Sequence, residues 1–415
     1  MNKTVVIINP ESLGWNLAVK AKELGRFVVI AVIEPAERYR DLKKLYHIDE
    51  GTANGLCDEL IVEQDWRLLA RRLAERSVTA VIPGSEIAVE YTDRLASALG
   101  LVCNDPQTTM DRRDKYVMKL AMRRANLAQA SGGCFDVLEA ALNFVDRNLT
   151  FPVVVKPTSG ASGQNVFVCR NRESFIKRFS QVLGDKDDYL RTIDRVIVEE
   201  YIEGREYAVN LFGTVTETVV TDIWEYRKFD NEIADNIYCS DILLDVGNPE
   251  FSEMKEYAKK LYSAVGLSIG PAHAEIKVNP AGIFGIEIGG RLAGGNLAKY
   301  VSHGENLDLL GMTLALYENR PVKIPDPIVF TSHVACADLS TEQGGTLTRI
   351  DGCDQIRGLS SFLEMELFIA PGDKIEPTTH FDTILGMVWL KNTDLDRLRS
   401  DIDAVHELFR IHVLP

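Results

Sequence analysis

Ala272-His-Ala-Glu-Ile-Lys-Val-Asn-Pro-Ala-Gly-Ile-Phe-Gly-Ile-Glu-Ile-Gly-Gly-Arg291 is the stretch from which the rest of this chain can be read. Two runs rich in Ile, Val and Ala flank Asn279-Pro280-Ala281-Gly282, a turn composition, so the segment reads as a β-hairpin. Each strand carries one carboxylate where an apolar residue is expected. With Asn279 to Ile283 as the connecting loop, an odd number of residues, Glu275 and Glu287 fall opposite each other on one face. Facing carboxylates in a sheet repel. Either a cation lies between them, or the face is simply solvated, and the hairpin alone leaves both readings open. Oxygen-only ligation suits Mg²⁺, with Mn²⁺ able to substitute, and Mg²⁺ is usually shared between one or two carboxylates and substrate phosphates. Arg291, just beyond, is placed to meet such phosphates as a planar fork.

Two upstream segments bear on the choice. Thr150-Phe-Pro-Val-Val-Val-Lys156 is a short β-branched strand that runs into Pro157-Thr-Ser-Gly-Ala-Ser-Gly-Gln164. Glycines in such a loop let backbone N–H groups wrap an anion, and Lys156 adds a point charge. The plain alternative is a surface hairpin loop. Val196-Ile-Val-Glu-Glu-Tyr-Ile-Glu-Gly-Arg-Glu-Tyr-Ala-Val-Asn210 reads as strand, tight polar connection at Gly204, and strand. Its acidic edge suits hydrogen bonds to an adenine amino group and ribose hydroxyls; a charged hinge is the alternative.

A lysine before a Gly/Ser loop, then Glu-Glu-x-x-x-Gly-x-Glu, then Glu275 and Glu287-x-x-x-Arg291, in that order and spacing, resembles the ATP-grasp superfamily. Within it the chain resembles the L-amino-acid ligases that make dipeptides. The resemblance extends to Arg112-Arg-Asp-Lys-Tyr-Val-Met118 and to a nucleotide-fold-like N-terminus, and so spans most of the chain. It implies a mixed α/β and α+β architecture: an ATP-grasp fold with an N-terminal Rossmann-like parallel-sheet domain and a C-terminal α+β cap. Position by position, it assigns Lys115 and Lys156 to the ATP phosphates and closes Thr158, Ser159, Gly160, Ala161, Ser162 and Gly163 over the triphosphate. Glu199, Glu200, Tyr201 and the backbone at Ile202 would surround adenine, and Glu206 the ribose. Glu275 and Glu287 would hold divalent metal, and Arg291 would stabilise the transferring phosphoryl group. The expected substrate set is Ser85, Glu86, Tyr226, Lys228, His273, Arg291, Gly294 and Gly295, with Arg291 and His273 as catalytic candidates. One departure stands out: many members have Asn two residues after the second glutamate, where this chain has Gly289, a replacement that favours the amino-acid ligases over the D-alanine ligases.

The implied activity is ATP-dependent joining of two L-amino acids through an acyl-phosphate, releasing ADP and phosphate. Alternatives are another ATP-grasp ligase, acting on a carrier protein or in purine or carboxylase-type chemistry, and a regulatory nucleotide binder that has lost chemistry. The retained Glu275, Glu287, Lys156 and Arg291 argue against the last.

Competing motifs fail on context. A Walker A loop needs a Gly-Lys dipeptide, which the sequence lacks. No Gly-x-Gly-x-x-Gly follows the first strand, so a dinucleotide site is unsupported. Gly266-Leu-Ser-Ile-Gly270 matches the hydrolase nucleophile elbow, but that motif needs a strand before and a helix after. Here Phe251, Met254, Tyr257, Ala258, Leu261 and Val265 form a helical stripe before it, and a strand follows.

At 415 residues the chain accommodates two or three domains with substantial cores. Its 46% apolar and 26% charged content is that of an ordinary globular protein. A net charge of −15 argues against nucleic-acid partners and anionic membranes. Seven scattered cysteines without Cys-x-x-Cys suit reduced thiols and a cytoplasmic location. The apolar run of the N-terminus is too short for a signal peptide, and no run reaches membrane-spanning length. A homodimer with small-molecule amino-acid substrates is the expected assembly.

The segments Thr4–Ile8, Phe27–Ile33, Glu59–Val62, Thr79–Ile82 and Leu101–Cys103 are strand-like, alternating with helical periods at Leu13–Leu24, Trp66–Arg76 and Ile87–Leu99. That alternation implies a parallel sheet. The expected division is 1–105 (α/β), 106–205 (lead-in helix and nucleotide-covering lobe), 206–320 (large lobe with the hairpin) and, after the Pro-rich Arg320 to Pro327, 321–415 (cap). Ser85 is read as a helix N-cap before a ligand role. His273 shares a face with Glu275. His47, His303, His333, His380, His406 and His412 show no zinc spacing.

Overall fold

Runs of Val and Ile set the strands, and their pairing builds four sheets. The structure, a computed structural model, describes residues 3–11, 13–33, 55–160, 163–187, 190–230 and 233–414. His47, Ala161 and Ser162 lie outside them. The first sheet joins β1 (Thr4–Ile8), β2 (Phe27–Val32), β3 (Glu59–Val62) and β4 (Val78–Pro83) in the order β3-β2-β1-β4. All its pairings are parallel, as the alternating strand and helix segments imply. The expected fifth strand at Leu101–Cys103 does not form. The chain there runs toward Asn104, whose amide takes Ser268 N–H and Ile269 N–H and donates to Ile269 C=O. Leu101 N–H closes the preceding helix on Ala96 O at 2.9 Å, and Asn104 docks on the large lobe, so the segment is drawn away from the open edge of β4. The second helix ends at Leu73 rather than Arg76, where the Ala74 N–H turns to the Arg71 carbonyl.

The second sheet holds β5 (Gly132–Phe135), β6 (Val153–Pro157), β7 (Phe167–Cys169) and β8 (Val196–Glu200), antiparallel, in the order β5-β8-β6-β7. Val153, Val155, Phe175, Phe179, Val196 and Val198 form a core of this lobe's own. The chain leaves it through Tyr201 to Gly204, so the strands on either side of that connection belong to different sheets. Gly204 has φ +148°, and a Cβ there would lie 2.5 Å from Val278 O, so the crossing requires glycine.

The third sheet begins with β9 (Arg205–Gly213), β10 (Thr218–Phe229), β11 (Ile237–Leu244), β12 (Gly270–Asn279) and β13 (Gly282–Gly289). Beyond the Pro-rich stretch come β14 (His333–Leu339), β15 (Gly345–Asp351), β16 (Phe362–Leu367), β17 (Lys374–Ile375), β18 (Gly386–Asn392) and β19 (Arg410–Leu414). The eight-stranded order β13-β12-β9-β10-β11-β14-β18-β16 carries strands from both sides of that stretch, while β17-β15-β19 pair separately. Trp224 and Trp389 on one face of this sheet share a core with Val5, Ile7 and Ile30 of the first sheet. The helix Ser252–Ala264 precedes β12, confirming the reversed context of Gly266–Gly270. Among the described residues no helix is long and apolar enough to cross a membrane.

Candidate active site

Glu275 and Glu287 are paired directly across β12 and β13. The expected facing arrangement is present, but its geometry differs from the expected one. Only Pro280 and Ala281 lie between the strands, with Asn279 opposite Gly282 and Val278 opposite Ile283. That register alone would put the two carboxylates out of step. A bulge after Gly285 shifts it by one residue and restores the pairing. The bulge has an external cause: Gly285 N–H bonds Ala128 O at 3.2 Å and Tyr257 Oη at 2.8 Å, and Gln129 bridges to Gly285.

Lys115 ion-pairs with Glu287 through Nζ, while its backbone N–H donates to Thr158 O at 2.8 Å. It opens the helix Lys115–Arg124, whose first turn is capped by Asp114 accepting from Tyr116 and Val117 N–H. Burial would lower its pKa, but Glu287, then Glu275 and Glu86, raise it. Burial would likewise raise Glu275, but His273, Lys228 and Lys115 hold it well below the usual carboxylate range. Among the described residues no three His, Cys, Asp or Glu side chains form a metal cage of their own. A pair of carboxylates balanced by a lysine ammonium fits a divalent ion whose remaining ligands are phosphate oxygens and water.

One helical turn on, Lys119 joins Lys156 around Glu199. Lys119 Nζ lies 3.1 Å from Glu199 Oε2, and Lys156 Nζ 2.5 Å from Oε1. All three are buried. Burial pushes Glu199 up, but the two lysines prevail and hold it at about 2. Burial pulls Lys119 down to about 8, only partly opposed by Glu199. Sequence reading missed Lys119, although its spacing of four from Lys115 on one helix face was a usable signal. Both Glu199 oxygens are thus engaged by lysines in this state, which differs from its expected place beside an adenine amino group. Glu200 turns away, accepting from Ser131 N–H at 2.8 Å. Tyr201 lies under Lys277 Nζ, 4.7 Å from the ring centroid. Ile202 sits in the same connection. Glu206 takes Lys228 Nζ at 2.5 Å and Lys277 Nζ at 3.5 Å.

In the loop after β6, Thr158 is buried and Ser159 Oγ donates to Asp187 at 2.9 Å. Gly160 and Gly163 have φ of +118° and +79°, a conformation that favours glycine. The expected loop contacts of Ala161 and Ser162 fall outside the described residues.

Arg291 does not point free toward a phosphate. Its Nε lies 2.9 Å from Glu86 Oε2, its Nη1 donates to Leu292 O, and Glu86 is also paired with Arg113. Burial would raise Glu86, but Arg113 and Arg291 lower it. A Cβ at Gly289 would come within 2.4 Å of Glu86 Oε2, so the departure from Asn has a steric partner: the Glu86 carboxylate fills that space. Ser85 is not the helix cap it was read to be. The helix Ala88–Ala98 starts after Ile87 with no side-chain cap, and Ser85 Oγ is buried with no hydrogen-bond partner among the described residues. Gly295 has φ +61° beside Phe381, and Gly294 O accepts from Leu297 N–H at 3.3 Å.

His273 is buried, its Nδ1 2.9 Å from Asn210 Oδ1 and its Nε2 3.7 Å from Glu275. Asn210 Nδ2 in turn donates to Asp222 at 2.5 Å. With the Asn210 amide fixed that way, Oδ1 accepts from Nδ1–H and leaves Nε2 facing the carboxylate. Tyr226 lies 6.4 Å from the imidazole, ring to ring. Asp222 carries no motif, and Asn210 and Arg113, although inside quoted stretches, were given no role by the sequence.

The geometry thus interleaves cations with carboxylates across the small lobe, the large sheet and the end of β4. Binding of a polyanion with divalent metal would exchange these partners. Residues 149–299 match the ATP-grasp domain family and residues 339–414 the L-amino acid ligase C-terminal domain 2. The chain is 28% identical over 298 residues to dapdiamide A synthase of Enterobacter agglomerans, covering 71% of this chain and 68% of that protein. It is 23% identical over 323 residues to an L-arginine-specific L-amino acid ligase of Bacillus subtilis, covering 77% and 76%. The crystal structure of an L-amino acid ligase from Bacillus licheniformis superposes with TM-score 0.82 at 18% identity, covering 100% of this chain and 99% of that one. Residues 149–299 thus form an ATP-grasp domain, and the chain is an ATP-dependent ligase with the ATP-grasp fold that resembles the L-amino-acid ligases.

Proposed function

We propose that the chain joins two L-amino acids into a dipeptide with ATP as phosphoryl donor, through an acyl-phosphate. The observation that carries this reading is the direct Glu275–Glu287 pair with Lys115 beside it and the Arg291–Glu86–Arg113 cluster adjoining. A carboxylate is a poor electrophile because its leaving group would be oxide. A donor carboxylate oxygen attacks the γ-phosphorus, ADP leaves, and the resulting acyl-phosphate now has phosphate as its leaving group. The second amino acid's amine attacks the carbonyl, loses a proton, and phosphate departs.

Lys115, Lys119 and Lys156 bind and orient the triphosphate, and the loop from Thr158 to Gly163 excludes water that would hydrolyse the intermediate. His273, with Nδ1–H committed to Asn210 and Nε2 facing Glu275, is placed to take the amine's proton at Nε2 once it has passed its own to the carboxylate side. Arg291, once released from Glu86, stabilises the developing oxyanion. Divalent metal, Mg²⁺ by the hard oxygen donors, would be held by Glu275 and Glu287 and supply neutralisation of phosphate charge. The four-part division of the chain and a cytoplasmic homodimer belong to the same proposal, and limited proteolysis and light scattering check them.

Isotope labelling tests the chemistry. Donor amino acid with ¹⁸O in its carboxylate gives singly labelled inorganic phosphate in step with dipeptide. Unlabelled phosphate, or AMP and pyrophosphate as products, would mean adenylation instead.

A further inference from the structure

Asp241 on β11 and Asp338 on β14 are buried on the same face of the large sheet as Glu275. The register fixes this: Lys277 pairs with Glu206, Glu206 with Tyr226, Tyr226 with Asp241, and Asp241 with Cys336. Glu275 and Asp338 are each two residues from a member of that row, and side chains in strands alternate with period two.

Asp241 is 5% and Asp338 0% exposed. Asp241 Oδ1 and Asp338 Oδ2 find no hydrogen-bond donor among the described residues. A second carboxylate so close makes the arrangement costlier, since burying an unpaired polar group is already unfavourable. Burial and Asp338 push Asp241 well up, and burial pushes Asp338 up to about 7. The ammonium that acts on Asp241, that of Lys228, is committed to Glu206. No three-ligand metal set is present among the described residues.

The surroundings are aromatic. Tyr238 lies under Lys228 Nζ, 4.2 Å from its ring centroid, and edge-on to Phe381 at 5.6 Å. Phe381 in turn packs where a Cβ on Gly295 would be 3.3 Å away. Tyr238 and Phe381 thus link β11, which carries Asp241, to the loop after Arg291.

Resting on the ligase reading, we propose that Asp241 and Asp338 receive the side-chain cation of one of the two amino acids, making a lysine- or arginine-type residue a preferred substrate. The reach selects a side chain over an α-ammonium. From β12 to β11 is three strand spacings, about 14 Å. An α-ammonium stays beside its own carboxylate at the metal clamp. A side chain of lysine or arginine length, met by the reach of Glu275 and Asp241, spans the gap.

The test compares L-arginine with L-citrulline, and L-lysine with L-norleucine, by calorimetry on the wild-type chain and by phosphate release with a common partner amino acid. One charged hydrogen bond implies at least about tenfold preference for the cationic member. Asp338→Asn and Asp241→Asn, each isosteric, should each collapse that ratio toward one, with melting temperature recorded to exclude misfolding. Equal binding of arginine and citrulline by the wild type overturns the inference without any variant. So does a preference that survives both substitutions. Brisk phosphate release with neutral amino acids and no cation preference removes this site and leaves the ligase reading standing. Arginine binding abolished by Asp338→Asn, without amino-acid-dependent phosphate release, does the reverse.

Discussion

Replacing Glu199 by Gln removes the carboxylate that lies between two buried lysines. The size of the effect follows from the titration of the native cluster. Glu199 is held at about 2 against an ordinary 4.5, so its charged form is favoured in the fold. At about 1.4 kcal/mol per pH unit, this contributes about 3 kcal/mol above the unfolded pKa, lost as pH falls toward 2. Lys119 has the opposite sign: at about 8 against 10.5, it costs a similar amount at pH 7, relieved as pH rises from 8 to 10.5. The intact cluster therefore nets little at neutral pH. Removing one partner is different, because Lys119 and Lys156 are then buried cations facing each other. Breaking a buried pair from one side costs about 3–5 kcal/mol. Denaturant unfolding of wild type and Glu199→Gln at pH 7 and pH 9.5 should show a deficit of that order at pH 7. The deficit should narrow at pH 9.5, where Lys119 sheds its proton easily. Equal stability at pH 7, or a deficit that ignores pH, would refute this account of the cluster.

Glu287→Gln should fold but lose turnover by roughly 10²–10³-fold, the scale for one lost contact to developing charge; near-normal rates at saturating Mg²⁺ would remove Glu287 from the metal clamp. Gly289→Asn must displace the Glu86 carboxylate 2.4 Å from its new Cβ, pulling it off Arg113 and Arg291. A stability loss of about 3 kcal/mol is expected, with turnover falling further than ATP affinity, and a variant as stable as wild type would contradict the packing. Glu305 is buried, both carboxyl oxygens lack partners among the described residues, and burial pushes its pKa up to about 10 from 4.5. Wild type then loses up to about 1.4 kcal/mol per pH unit between those values, because only the unfolded state releases the proton. Glu305→Gln should therefore gain relative stability from pH 5 to pH 8; parallel stability profiles would count against it.

The order of strand, Gly/Ser loop, acidic connection and two-carboxylate hairpin lies in the sequence because each is local. A β-branched run makes a strand and a turn composition makes a hairpin within a few residues of itself. So the parallel first sheet, Lys156, Glu275 and Glu287 could be placed from residue patterns. The tertiary structure decided what depends on distant partners. Glu275 meets Glu287 only because residues 128–129 and Tyr257 pull a bulge into β13, which no hairpin rule contains. Leu101–Cys103 has a strand's composition, but Leu101 N–H turns back to Ala96 O and Asn104 docks on Ser268 and Ile269. Glu86 holds Arg291 from 205 positions away in the chain (291 − 86), and Gly289 is small because that carboxylate fills its space. The burial that leaves Asp241 Oδ1 and Asp338 Oδ2 without donors among the described residues arises from four adjacent strands, β10, β11, β14 and β18, drawn from both sides of the Pro-rich stretch. Sequence by itself sets which groups are present and their local conformation. Which charges meet, and which remain unpaired, is set by the packing of strands distant in the chain, because electrostatic partners are chosen by distance in space.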